Sequence, residues 1–167
     1  MSGAPEIDEF VGIARPGEEA SGAALSAGAK KYTAALRSHL AALQASGATG
    51  AVVNAANSDG LDRLIRRLYD VAASSHYARH GATGARVALV AVGGYARREM
   101  SIGSDVDLLV LEDAGAEDLA GHVAQAVQTA LWDAGLQVGA AVRTARDSVA
   151  LAQTDVPTQT ALLAARF

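Results

Sequence analysis

Gly93-Gly94-Tyr95-Ala96-Arg97-Arg98-Glu99-Met100-Ser101-Ile102-Gly103-Ser104-Asp105-Val106-Asp107-Leu108-Leu109-Val110-Leu111 is the stretch on which the fold and chemistry of this chain turn. It sets a glycine pair a short distance ahead of Ser104-Asp105-Val106-Asp107. Upstream, Val87-Ala88-Leu89-Val90-Ala91-Val92 is an apolar run stopped by the two glycines, and Val106 to Leu111 is a second such run. Short apolar runs bounded by turn residues predict buried strands. The aspartates therefore open a strand, in which alternate side chains share a face. Asp105 and Asp107 are expected to project together while Val106 points the other way.

Two carboxylates on one side suit a hard cation. Magnesium takes one or two carboxylates, several waters and substrate phosphates, so Asp105 and Asp107 are the candidate metal ligands and catalytic residues. Without an ion the pair repel, which raises the proton affinity of at least one of them. Gly93 and Gly94 lack a Cβ, so their backbone can take unusual dihedrals and bring N–H groups close to a phosphate. Ser104 can add a hydroxyl to the same site. Tyr95, Arg97 and Glu99 follow the glycines on a predicted short helix whose N-terminus faces the phosphates. Arg97 is placed to compensate triphosphate charge or to pair with Glu99 or an aspartate, and the phosphate role is preferred. The nucleotide-binding candidates are thus Gly93, Gly94, Ser104 and Arg97.

A Gly-Gly followed at a distance by Asp-x-Asp resembles the signature of the DNA polymerase beta-like nucleotidyltransferase superfamily. The fuller wording, Val92-Gly93-Gly94-Tyr95, Arg97, Glu99 and Ser104-Asp105-Val106-Asp107-Leu108-Leu109, resembles the amino-terminal domain of the bifunctional PII uridylyltransferase/uridylyl-removing enzymes. A second block is similar to the segment that follows in those enzymes. It comprises Leu131 to Gly139, Val142-Arg143-Thr144, and Asp155 through Gln159-Thr160-Ala161-Leu162-Leu163 with Ala165-Arg166. The resemblance covers roughly residues 50 to 167 and only the transferase portion of the family. The family's HD hydrolase and ACT domains have no counterpart here: His39, His76, His80 and His122 all lack a following Asp.

The resemblance implies an α/β (α+β) architecture of the polymerase beta-like nucleotidyltransferase type, with a small mixed sheet packed with helices and preceded by an N-terminal helical segment. It implies a magnesium-dependent reaction in which UTP donates UMP to a tyrosine of the nitrogen-signalling PII protein, releasing pyrophosphate. Another nucleotide or acceptor, or a non-catalytic nucleotide-binding fragment, are the alternatives. The superfamily commonly draws a third carboxylate from a neighbouring strand to hold a second metal and help deprotonate the attacking hydroxyl. Here the third predicted strand reads Val138-Gly139-Ala140-Ala141-Val142 and holds no acid. Arg98 and Ala96 stand where the family has a small residue and a glycine.

At 167 residues the chain has the size of one domain. A net charge of −4 argues against a nucleic-acid partner, which calls for a concentrated basic surface. The absence of cysteine excludes disulfides and thiolate metal sites. The acidic start Met1 to Glu9 does not fit a signal peptide, and no apolar run approaches membrane-spanning length, so a cytoplasmic protein is expected.

The expected organisation is a flexible lead-in over residues 1–21, a helical segment over 22–84, and a nucleotidyltransferase core over 85–167 cut short at its C-terminus. Ala23 to Ala45 predicts a helix broken by Ser46 to Gly50, and a second helix is predicted from an Asn57-Ser58 cap to about His80. Its Arg63, Arg66 and Arg67 fit a solvated face. A helix over 116–134 ended by Gly135, a third strand over 137–144 and two short helices complete the prediction. Trp132 is predicted to anchor its helix in the core. Asp155 is predicted to cap the last helix, with Pro157 in its first turn. Arg143 could reach the nucleotide or pair with the aspartate strand.

Overall fold

The computed structural model describes residues 4–7, 21–82 and 84–167. The predicted lead-in lies largely outside these residues; of those described, Ile7 packs against the core.

Helix α1 (Gly22–Ala45) opens where the Ser21 side chain accepts from Ala24 N. Leu25, Ala29, Tyr32, Leu36 and Leu40 recur at helical spacing and are all buried, which forms its inner stripe. Helix α2 spans Gly50–His80 and is capped by Thr49, whose side chain accepts from Val52 N. This corrects the predicted start at Asn57-Ser58. Both residues are buried inside the helix: Asn57 Nδ2 donates to Met100 O at 3.2 Å and Ser58 Oγ donates back to Asn54 O at 3.0 Å. Their polarity is spent on a tertiary contact and on the helix itself, a pairing the local sequence does not reveal.

Strand β1 (Val87–Ala91) leads through a single turn, α3 (Gly93–Ala96), to strand β2 (Val106–Glu112). Helix α4 (Glu117–Asp133) crosses back to strand β3 (Val138–Thr144), followed by α5 (Ala145–Ala152) and α6 (Val156–Leu163). The sheet order is β1-β2-β3, with β1 antiparallel and β3 parallel to β2. It is the expected small mixed sheet packed with helices. Helix α4 ends as predicted at Gly135 (φ 76°), where Leu136 N donates to Leu131 O. Trp132 is not a core anchor: it is 54% exposed on the outer side of α4, whose buried stripe is Leu119, Val123, Val127, Ala130 and Leu131. Asp155 caps α6 by accepting from Thr158 N at 2.8 Å, as predicted. Arg63 and Arg66 are exposed and Arg67 is half-buried.

Helices α1, α2 and α4 pack on one another, and α4 packs on the sheet. Val87 and Ala91 of β1 and Val106, Leu108 and Val110 of β2 share a single core with these helices. Alternation then sends Asp107 and Leu109 to the opposite face. Among the described residues no helix is long and apolar enough to cross a membrane.

Candidate active site

The site is built on that opposite face, where β1 ends and β2 and β3 begin. Val92 N donates to Asp107 O at 3.1 Å, so the chain leaving β1 is fastened beside the carboxylate. Gly93 then takes φ 61°, the left-handed conformation that favours glycine, and starts the α3 turn. On the other flank Asp107 pairs in register with Gly139 of β3.

The residues flanking the Asp107 carboxylate, Gly93 and Gly139, both lack a Cβ, and both approach it closely. A Cβ on Gly93 would sit 3.0 Å from Asp107 Oδ2, and one on Gly139 would sit 3.2 Å from Asp107 Oδ1. The Asp107 carboxylate thus occupies a slot that the two glycines open. Burial, and then the charge of Asp105, push its pKa above the ordinary carboxylate range. A carboxylate that is costly to ionise alone, in a slot with room at the backbone, fits a site completed by a cation.

Asp105 lies one residue before β2 and is exposed, as is Ser104. Ser104 closes a turn through its N–H to Ser101 O, with Gly103 at φ 91°. The sequence therefore brings Gly93, Asp105 and Asp107 to one end of the sheet with Ser104 adjoining in the chain. The first-turn N–H groups of α3, beginning at the glycine pair, have no acceptor within that turn. A Cβ on Gly94 would meet only Arg97, at 4.0 Å.

Arg97 follows α3 rather than lying on it. Its Nε donates to Glu99 Oε2 at 2.8 Å and its NH1 donates to Gly93 O at 3.1 Å. It therefore sits over the glycine turn and is paired with Glu99; its side chain is 47% exposed. Arg98 has φ 61°, a left-handed conformation uncommon for a residue with a side chain, and pairs with Asp59. Arg143 does not pair with the aspartate strand near the site. It stands in register with Leu111, four residues along β2 from Asp107, about 13 Å away at the rise of a strand.

Gly139 was legible only as part of a strand, although a glycine inside one often marks a close approach by another group. Its position also accounts for the absent third acid. The residue of β3 beside Asp107 has no side chain, and among the described residues no group of three or more metal-ligating side chains forms. Asp62 of α2 and Arg166 near the end of the chain were missed as well. They meet behind the glycine turn, with Arg166 NH1 2.5 Å from Asp62 Oδ2. No local pattern connects residues so far apart.

A family described as "Putative nucleotidyltransferase DUF294" matches residues 34–148, which include the glycine turn and both aspartates. The chain belongs to this nucleotidyltransferase family. It is 42% identical over 120 residues to the bifunctional uridylyltransferase/uridylyl-removing enzyme of Rhodospirillum rubrum, a match covering 71% of this chain and 13% of that protein. To the enzyme of the same name from Erythrobacter litoralis it is 36% identical over 119 residues, 71% of this chain and 13% of the relative. The corresponding protein of Novosphingobium aromaticivorans is 37% identical over 108 residues, 64% of this chain and 12% of the relative. The chain spans about an eighth of the length of these relatives.

Proposed function

We propose that this chain carries out nucleotidyl transfer from UTP, joining UMP to a tyrosine hydroxyl of a PII-like signalling protein. The observation that carries the transfer chemistry is the Asp107 carboxylate lodged between Gly93 and Gly139, with Asp105 beside it. The choice of UTP and of a PII-like acceptor is supported by the similarity to proteins named uridylyltransferases.

In this proposal Asp105 and Asp107 hold magnesium. When bound, it neutralises charge on the phosphates and on the aspartates themselves. Gly93 and Gly94 offer backbone N–H groups to the β- and γ-phosphates, and Arg97, resting on Gly93 O, adds positive charge at the same end. Ser104 contributes a hydroxyl at the mouth. The acceptor oxygen attacks the α-phosphorus in line, an oxygen–phosphorus bond forms, and the bond to the pyrophosphate oxygen breaks with its electron pair leaving on pyrophosphate. Positioning and charge compensation do most of this work. The hydroxyl proton passes to solvent or to the acceptor protein, since β3 presents Gly139 rather than an acid beside Asp107.

That same missing side chain favours a second reading, a domain that binds nucleotide without transferring it. Incubation with magnesium, each labelled triphosphate in turn and a PII protein distinguishes the two. Label from UTP is expected on the PII protein, and Asp105→Ala is expected to reduce it at least about 100-fold. Equal labelling with Asp105→Ala sinks the mechanism. Labelling from ATP but not UTP reassigns the donor, and binding without labelling selects the second reading.

A further inference from the structure

Arg166 ties together four parts of the molecule that meet behind the glycine turn. Its backbone bridges the end of β1: Ala91 N donates to Arg166 O at 2.8 Å and Arg166 N donates to Ala91 O at 3.0 Å. Its guanidinium then reaches round to the far end of α3. Nε donates to Ala96 O at 3.1 Å and NH2 to Tyr95 O at 3.3 Å, while NH1 and NH2 grip the Asp62 carboxylate at 2.5 and 3.1 Å. The same Asp62 accepts from Tyr95 Oη at 2.6 Å, and the guanidinium lies 5.4 Å from the centre of the Tyr95 ring. Tyr95 is 2% exposed, and the Arg166 and Asp62 side chains are 26% and 17% exposed.

The turn needs this support. Helix α3 is four residues long and begins with two glycines, so neither hydrogen-bond cooperativity nor backbone stiffness holds its shape. Backbone bonds follow it from Arg98 N to Tyr95 O and from Glu99 N to Gly94 O, and Arg166 adds donors to Tyr95 O and to Ala96 O. With Ala91 pinned before the turn and Tyr95 and Ala96 pinned at its end, the direction in which the Gly93 and Gly94 N–H groups point is set from outside. A planar five-donor fork can hold a carboxylate and two carbonyls together; a lysine ammonium cannot match that geometry.

We propose that Arg166, braced by Asp62, is the positioning residue that holds the glycine turn in the shape that receives the triphosphate. It touches neither aspartate of the metal pair nor the reacting atoms and acts through the turn. The inference rests on the triphosphate site proposed above. Charge on Arg166 matters less than its bridging, so the conservative lysine must fail to replace it.

The test is calorimetric titration of the folded protein with magnesium and UTP, and separately with magnesium and inorganic triphosphate. Folding of each variant is checked by near-ultraviolet circular dichroism. Arg166→Lys is expected to weaken both ligands by the same factor, about tenfold, because the defect lies in the phosphate cradle and not at the base. Val123→Ala, a core truncation in α4 away from the turn, lowers the melting temperature and is expected to leave both affinities unchanged. If Arg166→Lys does not fold, Asp62→Asn, which releases the guanidinium from its charged partner, is expected to weaken both ligands severalfold.

Unchanged affinity in a folded Arg166→Lys or Asp62→Asn protein overturns the inference while the parent's binding keeps the site intact. The same holds if UTP alone is weakened, or if Val123→Ala weakens binding equally. A parent protein that binds neither ligand removes the triphosphate site itself and the inference with it.

Discussion

Asp107 is where a backbone decision becomes a chemical one. Its carboxylate fits because Gly93 and Gly139 present hydrogens where any other residue would place a Cβ. Confinement and the neighbouring Asp105 both make its charged form expensive. The folded state therefore binds the Asp107 proton more tightly than the unfolded chain does, so ionisation costs stability. That cost is absent at a pH below the ordinary value of 3.8 and grows as pH rises through the folded-state value. Asp107→Asn keeps the shape and removes the charge. Its metal-free form is expected to melt at the same temperature as the parent or higher at neutral pH, while the rise in melting temperature caused by magnesium with a triphosphate disappears. A lower metal-free melting temperature overturns the ionisation cost, and a ligand-induced rise that survives removes Asp107 from the metal site. Asp105 and Asp107 were readable as a pair from strand alternation alone. The glycine opposite Asp107 was not, because register across β2 and β3 depends on the α4 crossover.

Among the elements, α2 departs most from expectation. The polar pair Asn57-Ser58 looks like a helix start, yet the helix runs through it from Gly50. What overrides the local preference is packing on α1. Tyr32 Oη donates to Gly60 O at 3.1 Å, and Leu36 presses against Gly60 so closely that a Cβ there would lie 2.5 Å from Leu36 Cδ1. A glycine inside a helix costs about 1 kcal/mol relative to alanine, and here it permits two helices to approach. Gly60→Ala recovers that propensity but overpacks a buried leucine, which costs about 1–3 kcal/mol. A net loss of about 1 kcal/mol is expected in urea unfolding. A gain would mean that Leu36, 2% exposed, has room to move. Trp132 fails for a related reason: helical periodicity shows that α4 has a buried stripe, but the placement of α1, α2 and the sheet around α4 determines which side that is.

At the scale of the whole molecule, the seam between α2 and α4 carries a histidine cluster. The His76 ring centre lies 4.6 Å from that of His80 and 5.6 Å from that of His122, and Arg79 NH2 is 3.4 Å from His122 Nε2. Burial, then the charge of His80, lowers the His76 pKa, opposed by Asp118; burial, then the charges of Arg79 and His76, lowers that of His122. Both rings stay neutral in the fold at a pH where an unfolded chain has begun to protonate. Below the ordinary histidine value of 6.5 the unfolded state therefore binds more protons, and stability falls as pH drops until the folded-state values are passed. Thermal unfolding followed from pH 7.5 to about 5.5 is expected to show a falling melting temperature, with a shallower fall in a His76→Gln, His122→Gln double variant. Equal slopes would show that the seam does not titrate.

Periodicity and turn chemistry were enough to place the three strands, the glycine turn and the aspartate pair, and the wording of the glycine–aspartate motif carried the nucleotidyltransferase resemblance that the family match over residues 34–148 bears out. These are local properties: two-residue alternation, a missing Cβ, and a cap within four residues. Tertiary packing decided the rest. It lengthened α2, turned Trp132 outward, set Gly139 beside Asp107 and closed Arg166 onto Asp62 and the back of the turn. Each of these depends on contacts between residues far apart in the chain, and their energies are not encoded in any single window of sequence.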